Sequence, residues 1–515
     1  MQSDSRKLRP ILPLMLCGLL LTASCIGGSS PAAARGGFGG GFGRMGSFGG
    51  PAAGIGREPR QHMTATRRDR VVDRPSGRNR GSAGFEGDRG SGHHRIIGPG
   101  IGGNPGPDVS ELPRRGGTGG TGSNNGGSGV PPSGERRFVP GEILTEFSSS
   151  ATPQSIDQIA RRYDLTRLES QSLALIGSSL YRWRIGGRRS VADTVGAIEN
   201  ERIVSSAQPN YIFTLQEQAA TITDDAQGDA AQYVLNKLQI KQAHQLATGK
   251  NTLVAVIDSE IDAKHPDLAG TIVKSFDALS GDTSPHKHGT AIAGAIASHG
   301  KLLGIAPGVK LLAARAFDDA PVDAKGTSFA IYKALEWAAE NNARVVNMSF
   351  AGPPDPALHR MLAAAYEKGL VLIAAAGNAG PNSPPLYPAA DPSVIAVTAT
   401  DSNDSLFKMS NRGEYIAVAA PGVDILADAP AGSYQITTGT SVAAAHVSGV
   451  AALLLESKPS LKPKDVRAAL TASAKALRNG EQPGSGAGLV NAYRAVMSLD
   501  SKSIVKDGGD GQAKR

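Results

Sequence analysis

Apolar and polar positions alternate in blocks along the second half of the chain. Leu253–Ile257, Lys310–Ala316, Val345–Ser349, Val371–Ala376 and Val394–Thr398 are short apolar runs, as expected of strands buried on both faces. Between and after them lie helical patterns. Thr327–Asn341 reads as a helix between two of them, Ala291–Ser298 and Val442–Leu455 are built from small and apolar residues, and Pro463–Ala474 reads as a terminal helix. Buried strands alternating with helices predict an α/β unit, a parallel sheet flanked by helices, over residues 232–498.

A different pattern precedes it. Residues 138–215 read as strand (Phe138–Phe147), helix (Pro153–Tyr163), strand (Leu165–Glu169), strand (Leu180–Ile185), helix (Val191–Asn200) and strand (Ala207–Thr214). Two helices among four strands predict a small ferredoxin-like α+β sandwich. Thr214–Asp229 is polar and without periodicity, so residues 216–231 are expected to form an exposed linker open to cleavage. Residues 499–515 read as a flexible tail.

Composition changes the picture at the amino terminus. Arg6, Lys7 and Arg9 precede the apolar run Ile11–Ala23, and Ala32-Ala33-Ala34 offers a small-residue cleavage site, so residues 1–34 read as a signal peptide. The run is short for a membrane span, and no transmembrane helix is expected in the mature chain. The sequence has 2 cysteines, Cys17 and Cys25, both in this segment. Leu21-Thr22-Ala23-Ser24-Cys25 resembles a lipoprotein box, which leaves lipid anchoring through Cys25 open beside secretion or a periplasmic or cell-surface location. Residues 35–137 are rich in Gly, Arg, Pro and Ser and too poor in apolar residues to form a core, so they are expected to be disordered. This stretch holds 16 Arg and no Lys against 8 Asp plus Glu, a surplus equal to the +8 of the whole chain. The basic character is therefore a property of this segment, solvated linker or surface adhesin, and nucleic acid is not an expected partner.

Four chemistry-bearing residues sit at element ends. Asp258 closes the strand Leu253–Ile257, where open α/β sheets place their sites. His288 opens a small-residue helix through His288-Gly289-Thr290, and Asn378 follows Gly377 after the strand Val371–Ala376. Ser441 begins the helix Val442–Leu455, at a terminus whose unpaired N–H groups favour negative charge. Taken singly, each has a structural reading as a cap or turn residue. His286 and His265 compete with His288, but neither is followed by Gly-Thr and a small-residue helix. His446, on the helix after Ser441, is expected to be an internal, hydrogen-bonded histidine.

The segments VAVIDSEID (Val254–Asp262), HGTAIAGAIA (His288–Ala297), AAAGNAGP (Ala374–Pro381) and GTSVAAAHVSG (Gly439–Gly449), in this order, resemble the motifs of the subtilisin-like serine proteases. The resemblance spans about Gln232 to Ala495. It implies an endopeptidase in which Ser441 attacks the peptide carbonyl, His288 moves the proton, Asp258 orients His288, and Asn378 with the Ser441 N–H binds the oxyanion. VVNMSF (Val345–Phe350) resembles the family's substrate-binding strand. It points to Ser349, Phe350, Ala351, Gly352 and Gly377 as substrate-binding residues, with Phe350 and Ala351 beside the pocket next to the scissile bond. Substrates are then proteins or peptides, and the segment 138–215 takes the place of an inhibitory propeptide acting in cis.

No cofactor is implied for the chemistry. Structural calcium is common in the family, but no spacing here forms a calcium loop, and Asp277, Asp282, Asp318 and Asp319 stay unassigned. The chain departs from the family pattern at Glu260, Ala291, Ala445 and Val442. Glu260 adds a carboxylate beside Asp258 and leaves a competing reading open, a catalytically weak or silent fold used for binding or surface attachment.

Overall fold

A computed structural model describes residues 128–216, 218–220, 232–281, 283–477 and 484–507, all within one unit, Arg114–Arg515. The expected signal peptide, most of the Gly/Arg-rich segment and most of the linker 216–231 lie outside the described residues. From Ser128 the chain is already packed: the Ser128 hydroxyl donates to Glu199 (2.8 Å), ten residues before the boundary drawn at Phe138.

The first part of the described chain runs β1 (Phe138–Phe147), α1 (Pro153–Arg162), β2 (Leu165–Leu173), β3 (Ser178–Ile185), α2 (Val191–Ile198) and β4 (Val204–Leu215). The order β4-β1-β3-β2, antiparallel throughout, is that of the expected α+β sandwich. Thr152 caps α1 with a capping box and Ser190 caps α2, so both helix starts were written in the sequence. One sheet face packs Ile143, Phe147 and Trp183 on Ile156, Ile159, Val195 and Ile198 of the two helices. The other face, with Leu144, Leu173 and Leu180, joins the core of the unit that follows.

That unit begins with β5 (Gln218–Ala220), α3 (Tyr233–Lys237), α4 (Ile240–Ala243), β6 (Leu253–Asp258), β7 (Ile272–Asp277) and α5 (Lys287–Ala297). β8 (Lys310–Arg315), β9 (Lys325–Thr327), α6 (Ser328–Glu340), β10 (Val345–Met348), β11 (Phe350–Ala351) and α7 (Pro356–Glu367) follow. β12 (Val371–Ala375), β13 (Val394–Thr400), β14 (Ile416–Pro421), β15 (Ile425–Ala429), β16 (Ser433–Thr438), α8 (Thr440–Ser457), α9 (Pro463–Ser473) and α10 (Ala492–Asp507) complete it. Seven strands form a parallel sheet in the order β14-β13-β12-β10-β6-β8-β7. The chain leaves β6 for β7 and β8 on one side and returns to β10 on the other, so the strand order reverses beside β6. A crevice opens at the carboxyl ends of such strands, and Asp258 is the last residue of β6.

α8 is apolar and long enough to cross a membrane, but it is the central core helix, buried from Thr440 through Leu455. α10 runs to Asp507, past the tail boundary drawn after 498, because Ala492, Ala495 and Val496 are buried in the core and carry the helix onward.

The linker expectation fails at its start. Ile212–Thr214 pair antiparallel with β9, and Thr214–Leu215 with β11, while Gln218–Ala220 pair with β16. Backbone hydrogen bonds order this segment without any periodic side-chain pattern.

Candidate active site

Asp258 and His288 meet at the switch point. Asp258 is fully buried, and His288, in the first turn of α5, brings Nδ1 to 2.7 Å from Asp258 Oδ1. The same Oδ1 accepts the Ser259 backbone N–H (2.8 Å) and hydroxyl (3.1 Å), whereas Oδ2 has no hydrogen-bond partner among the described residues. A carboxylate so placed holds the ring with Nδ1 protonated and Nε2 facing away.

Asn378 and Ser441 form the second half. The Asn378 Oδ1 accepts both the Thr440 N–H (3.0 Å) and the Thr440 hydroxyl (2.9 Å), which fixes which way the amide points. Its Nδ2 and the Ser441 Oγ are buried with no hydrogen-bond partner among the described residues. Ser441 lies in the first turn of α8, whose N-cap Gly439 provides no side-chain cap, so the helix N–H groups there face the cleft. Gly439 is required by crowding. A Cβ there would lie 2.3 Å from the Gln216 carbonyl oxygen, 3.0 Å from Asn378 Nδ2 and 3.1 Å from Ser441 Oγ. The carbonyl, the hydroxyl and the amide thus all border the position that a Gly439 Cβ would take.

The chain leading to Gln216 lies in the cleft as an extended peptide. The Gln216 N–H donates to Ser349 O (3.3 Å) and the Leu215 N–H to Ala324 O (3.2 Å). Leu215 also lines a small cavity with His286, His288 and Ala324. The Ser349 hydroxyl donates to the Ser441 carbonyl (2.9 Å) and tethers this strand to α8. Ala351 lines a cavity of about 900 Å³ with Gln216, Asn378, Ala379, Pro384 and Leu386. Phe350 lies elsewhere. Its ring is fully buried, 5.9 Å from the ring of Phe213, because β11 turns alternate side chains to opposite faces. Gly352 leaves the room that Phe213 occupies, since a Cβ would approach that ring to 2.3 Å. The Gly377 N–H donates to the Thr440 hydroxyl (3.1 Å).

Glu260 is half-buried, and burial raises its carboxyl above the ordinary range, with Arg315 opposing and Asp277 adding to the shift. His446 Nδ1 donates to Pro421 O (2.9 Å), and burial pushes the ring down to about 4, which fits an internal histidine. His265 is buried away from Ser441, with Nε2 3.1 Å from Ser433 O.

Among the described residues, the carboxylates left unassigned have separate partners. Asp277 pairs with Arg315 (3.0 Å), Asp318 accepts the Lys325 N–H (2.9 Å), Asp319 accepts the Ser284 hydroxyl (3.2 Å), and Asp282 lies outside the described residues. Ligand atoms of His265, Asp267 and Asp428 do lie within 4.8 Å of one another. This set does not suit calcium, which takes oxygen ligands. Moreover, His265 Nδ1 accepts the Asp267 N–H, and Asp267 accepts the N–H groups of Lys301 and Leu302.

Sequence reasoning missed Thr440, which orients Asn378, and Ser259, which supports Asp258. Each is adjacent to a residue it did single out, and only the fold shows what its hydroxyl reaches.

Residues 249–493 match the subtilase family. The chain is 36% identical to thermitase of Thermoactinomyces vulgaris over 282 residues, 53% of this chain and 99% of that protein. It is 38% identical to subtilisin E of Bacillus subtilis (strain 168) over 277 residues, 52% of this chain and 71% of that protein. Among solved structures it resembles fervidolysin from Fervidobacterium pennivorans, described as a keratinolytic enzyme related to subtilisin, with a TM-score of 0.61 and 25% identity. That likeness covers 72% of this chain and spans 62% of fervidolysin's own length. The chain belongs to the subtilase family and is a serine peptidase of the subtilisin type.

Proposed function

We propose that this peptidase is an exported endopeptidase of proteins or peptides, made as a precursor that cleaves itself after Gln216. The observation that carries the reading is that the Gln216 carbonyl oxygen, Ser441 Oγ and Asn378 Nδ2 all border the position a Gly439 Cβ would take, with the chain paired to the cleft on both sides. Main-chain pairing of this kind is how an extended peptide is aligned for attack.

In the proposed reaction Ser441 Oγ attacks the carbonyl carbon. His288 Nε2 takes the hydroxyl proton and later delivers it to the leaving amine, while Asp258 keeps Nδ1 protonated and stabilises the imidazolium. The negative charge formed on the carbonyl oxygen is met by Asn378 Nδ2–H and the Ser441 N–H at the start of α8. A donor with no competing partner costs no reorganisation when that charge appears, and the two Thr440 bonds keep the amide aimed. No cofactor takes part. Structural calcium stays outside the proposal, because no described carboxylate set fits it. Residues 128–216 are then the inhibitory propeptide, and the mature enzyme runs from Glu217 through the unit that follows. The charged start, apolar run and Ala-Ala-Ala of residues 1–34 support export.

Expression of the full chain without other proteases tests this. Wild type is expected to yield a mature form whose first residue is Glu217, and Ser441→Ala to stay uncut. A different mature terminus, or cutting of the Ser441→Ala chain, overturns the reading. Removing one oxyanion donor of this kind in subtilisin itself costs about 10²–10³ in kcat, and Asn378→Ala is expected to lose as much on a peptide substrate.

A further inference from the structure

His288 is one of two buried imidazoles at this corner of the cleft. His286 is the N-cap of α5 and is 8% exposed. Its backbone is held on both sides. Its N–H donates to Glu260 O (2.8 Å), and its carbonyl accepts the Thr290 N–H (3.2 Å) and hydroxyl (2.9 Å). The ring therefore has a fixed origin, and Nδ1 lies 2.8 Å from Ser259 Oγ. Ser259 Oγ is 3.1 Å from Asp258 Oδ1, which is 2.7 Å from His288 Nδ1. Four side chains thus form one hydrogen-bonded row, His286–Ser259–Asp258–His288.

A serine hydroxyl has one proton to donate. Ser259 Oγ already accepts the Gly289 N–H (3.1 Å). When His286 Nδ1 carries a proton it also donates to Ser259 Oγ, and the hydroxyl proton is directed to Asp258. When Nδ1 is bare, it competes for that proton and Asp258 loses a donor. Asp258 is sensitive to this loss, because its hydrogen bonds converge on Oδ1.

We propose that His286 is a positioning residue of this peptidase, which turns the Ser259 hydroxyl onto Asp258 and so sets how strongly the Asp258–His288 couple holds a proton. The sign follows from the electrostatics. A hydroxyl donated to Asp258 stabilises its charge and weakens its pull on the His288 proton. In acid, a protonated His286 fixes that direction and adds a positive charge that opposes protonation of His288. Both effects keep His288 available as a base to lower pH. The charged and titratable groups around His286, among the described residues, are Asp258 and Glu260 after β6, Lys287 and His288 on its own helix, and Asp323 across the cavity it lines. Arg315 and Asp277 stand behind Glu260.

The inference rests on Asp258 and His288 being the proposed base couple. The test is the pH dependence of kcat/KM on a peptide substrate for wild type, His286→Ala, His286→Asn, Ser259→Ala and the double variant His286→Ala/Ser259→Ala. In His286→Ala the acid limb is expected to move up by about 0.5–1 pH unit, a loss of about 3–10-fold below the limb that fades at alkaline pH. His286→Asn offers an amide donor to Ser259 that does not titrate, and is expected to recover part of the shift. In the Ser259→Ala background, His286→Ala is expected to add nothing. An unmoved acid limb overturns the proposal, and so does an equal shift without Ser259, since the effect would then bypass the row. If His286→Ala fails to mature, His286→Asn with and without Ser259→Ala decides on the same criterion. Fluorophosphonate labelling of Ser441 separates the two readings. Unlabelled wild type sinks the proposed catalytic role, whereas labelled, active enzyme whose acid limb ignores His286 sinks only this one.

Discussion

The interior of the parallel-sheet unit and its seam with the α+β sandwich are both buried, but they are built from different groups. The interior around α8 is almost wholly apolar, with Val442, Val447, Val450, Leu453 and Leu454 facing Val256, Ile373, Val397 and Val418. The seam sets apolar contacts of Leu144, Leu173 and Leu180 beside many amides and charges. Gln208 Oε1 accepts the Ala357 N–H (3.0 Å) at the start of α7, and Asn210 Oδ1 accepts the Phe329 N–H (3.2 Å) at the start of α6. Lys333 reaches Glu169 (2.6 Å), Arg360 pairs with Glu146, and both Glu336 oxygens accept the Leu175 N–H (3.2 Å). An apolar interior cannot be opened without exposing oil to water, whereas polar groups that cap one another can each return to water. A seam of this kind holds two parts in register and leaves both soluble when parted, as the proposed maturation requires.

Among the apolar residues of the seam, Phe213 gives the largest expected effect. It is fully buried on β4, edge-on to Phe350 and in the space left by Gly352. Phe→Ala in a packed core costs about 3–5 kcal/mol, and about 1.4 kcal/mol is tenfold in affinity. Phe213→Ala is therefore expected to weaken the hold of the cleaved sandwich more than a hundredfold, read as early peptide hydrolysis by the processed protein. An unchanged delay would mean that the rest of the seam does the holding.

The amide seam comes second. Gln208 Nε2 also donates to Asp355 Oδ1 (2.8 Å) and to the Tyr332 hydroxyl (2.9 Å), so one side chain serves three partners across the boundary. Gln208→Ala leaves the Ala357 N–H and Asp355 short of partners, at about 1–3 kcal/mol. The delay before full activity is expected to shorten by about tenfold, with less effect than Phe213→Ala. Gln208→Glu sharpens the contrast, because it keeps the acceptor for Ala357 but sets a second carboxylate against Asp355.

The same contrast explains what could be read from the sequence. The central strands and the helix starts at His288 and Ser441 announce themselves, because buried strands and small-residue helices leave an apolar signature. The edge strand β7 does not, since Val273, Lys274 and Ser275 are exposed and polar enough to pass for loop. β9 and β11 are strands because β4 pairs with them, and β5 because it pairs with β16, and no side-chain period encodes a main-chain partner. For the same reason the junction after Leu215 reads as a loose linker. At the site, the sequence brought out Asp258, His288, Asn378 and Ser441, but not how they are held. Thr440 looks like part of a turn, and His286 is dismissed by a criterion that seeks a base, not a residue acting through Ser259.

The smallest effect belongs to the unit's interior, at a buried carboxylate. Asp428 on β15 is fully buried beside Gly294 of α5, accepts the Ser298 hydroxyl, and stands 3.8 Å from His265 Nδ1. Burial is the main cause that pushes its carboxyl up to about 6, with Asp267 adding to the shift and Ser298, His265 and His299 opposing it. In the unfolded chain the same group titrates near 3.9. Below that value both states are protonated and the buried group costs nothing. As pH rises from about 4 to about 6 the unfolded state releases its proton first, so stability is lost across this window and stays lost above it. Asp428→Asn keeps the shape and never ionises. Its Tm is therefore expected to match or fall below that of wild type at pH 4 and to exceed it by a few degrees at pH 7, where about 1 kcal/mol moves a domain of this size by about 2–4 °C. The gap belongs to the interior, so it should persist in mature enzyme freed of the sandwich, whereas Gln208→Ala and Phe213→Ala should leave no mark there. Parallel Tm curves for wild type and Asp428→Asn across pH 4 to 7 would mean that burial does not raise the Asp428 carboxyl, and that the interior carries its charge as readily as the seam does.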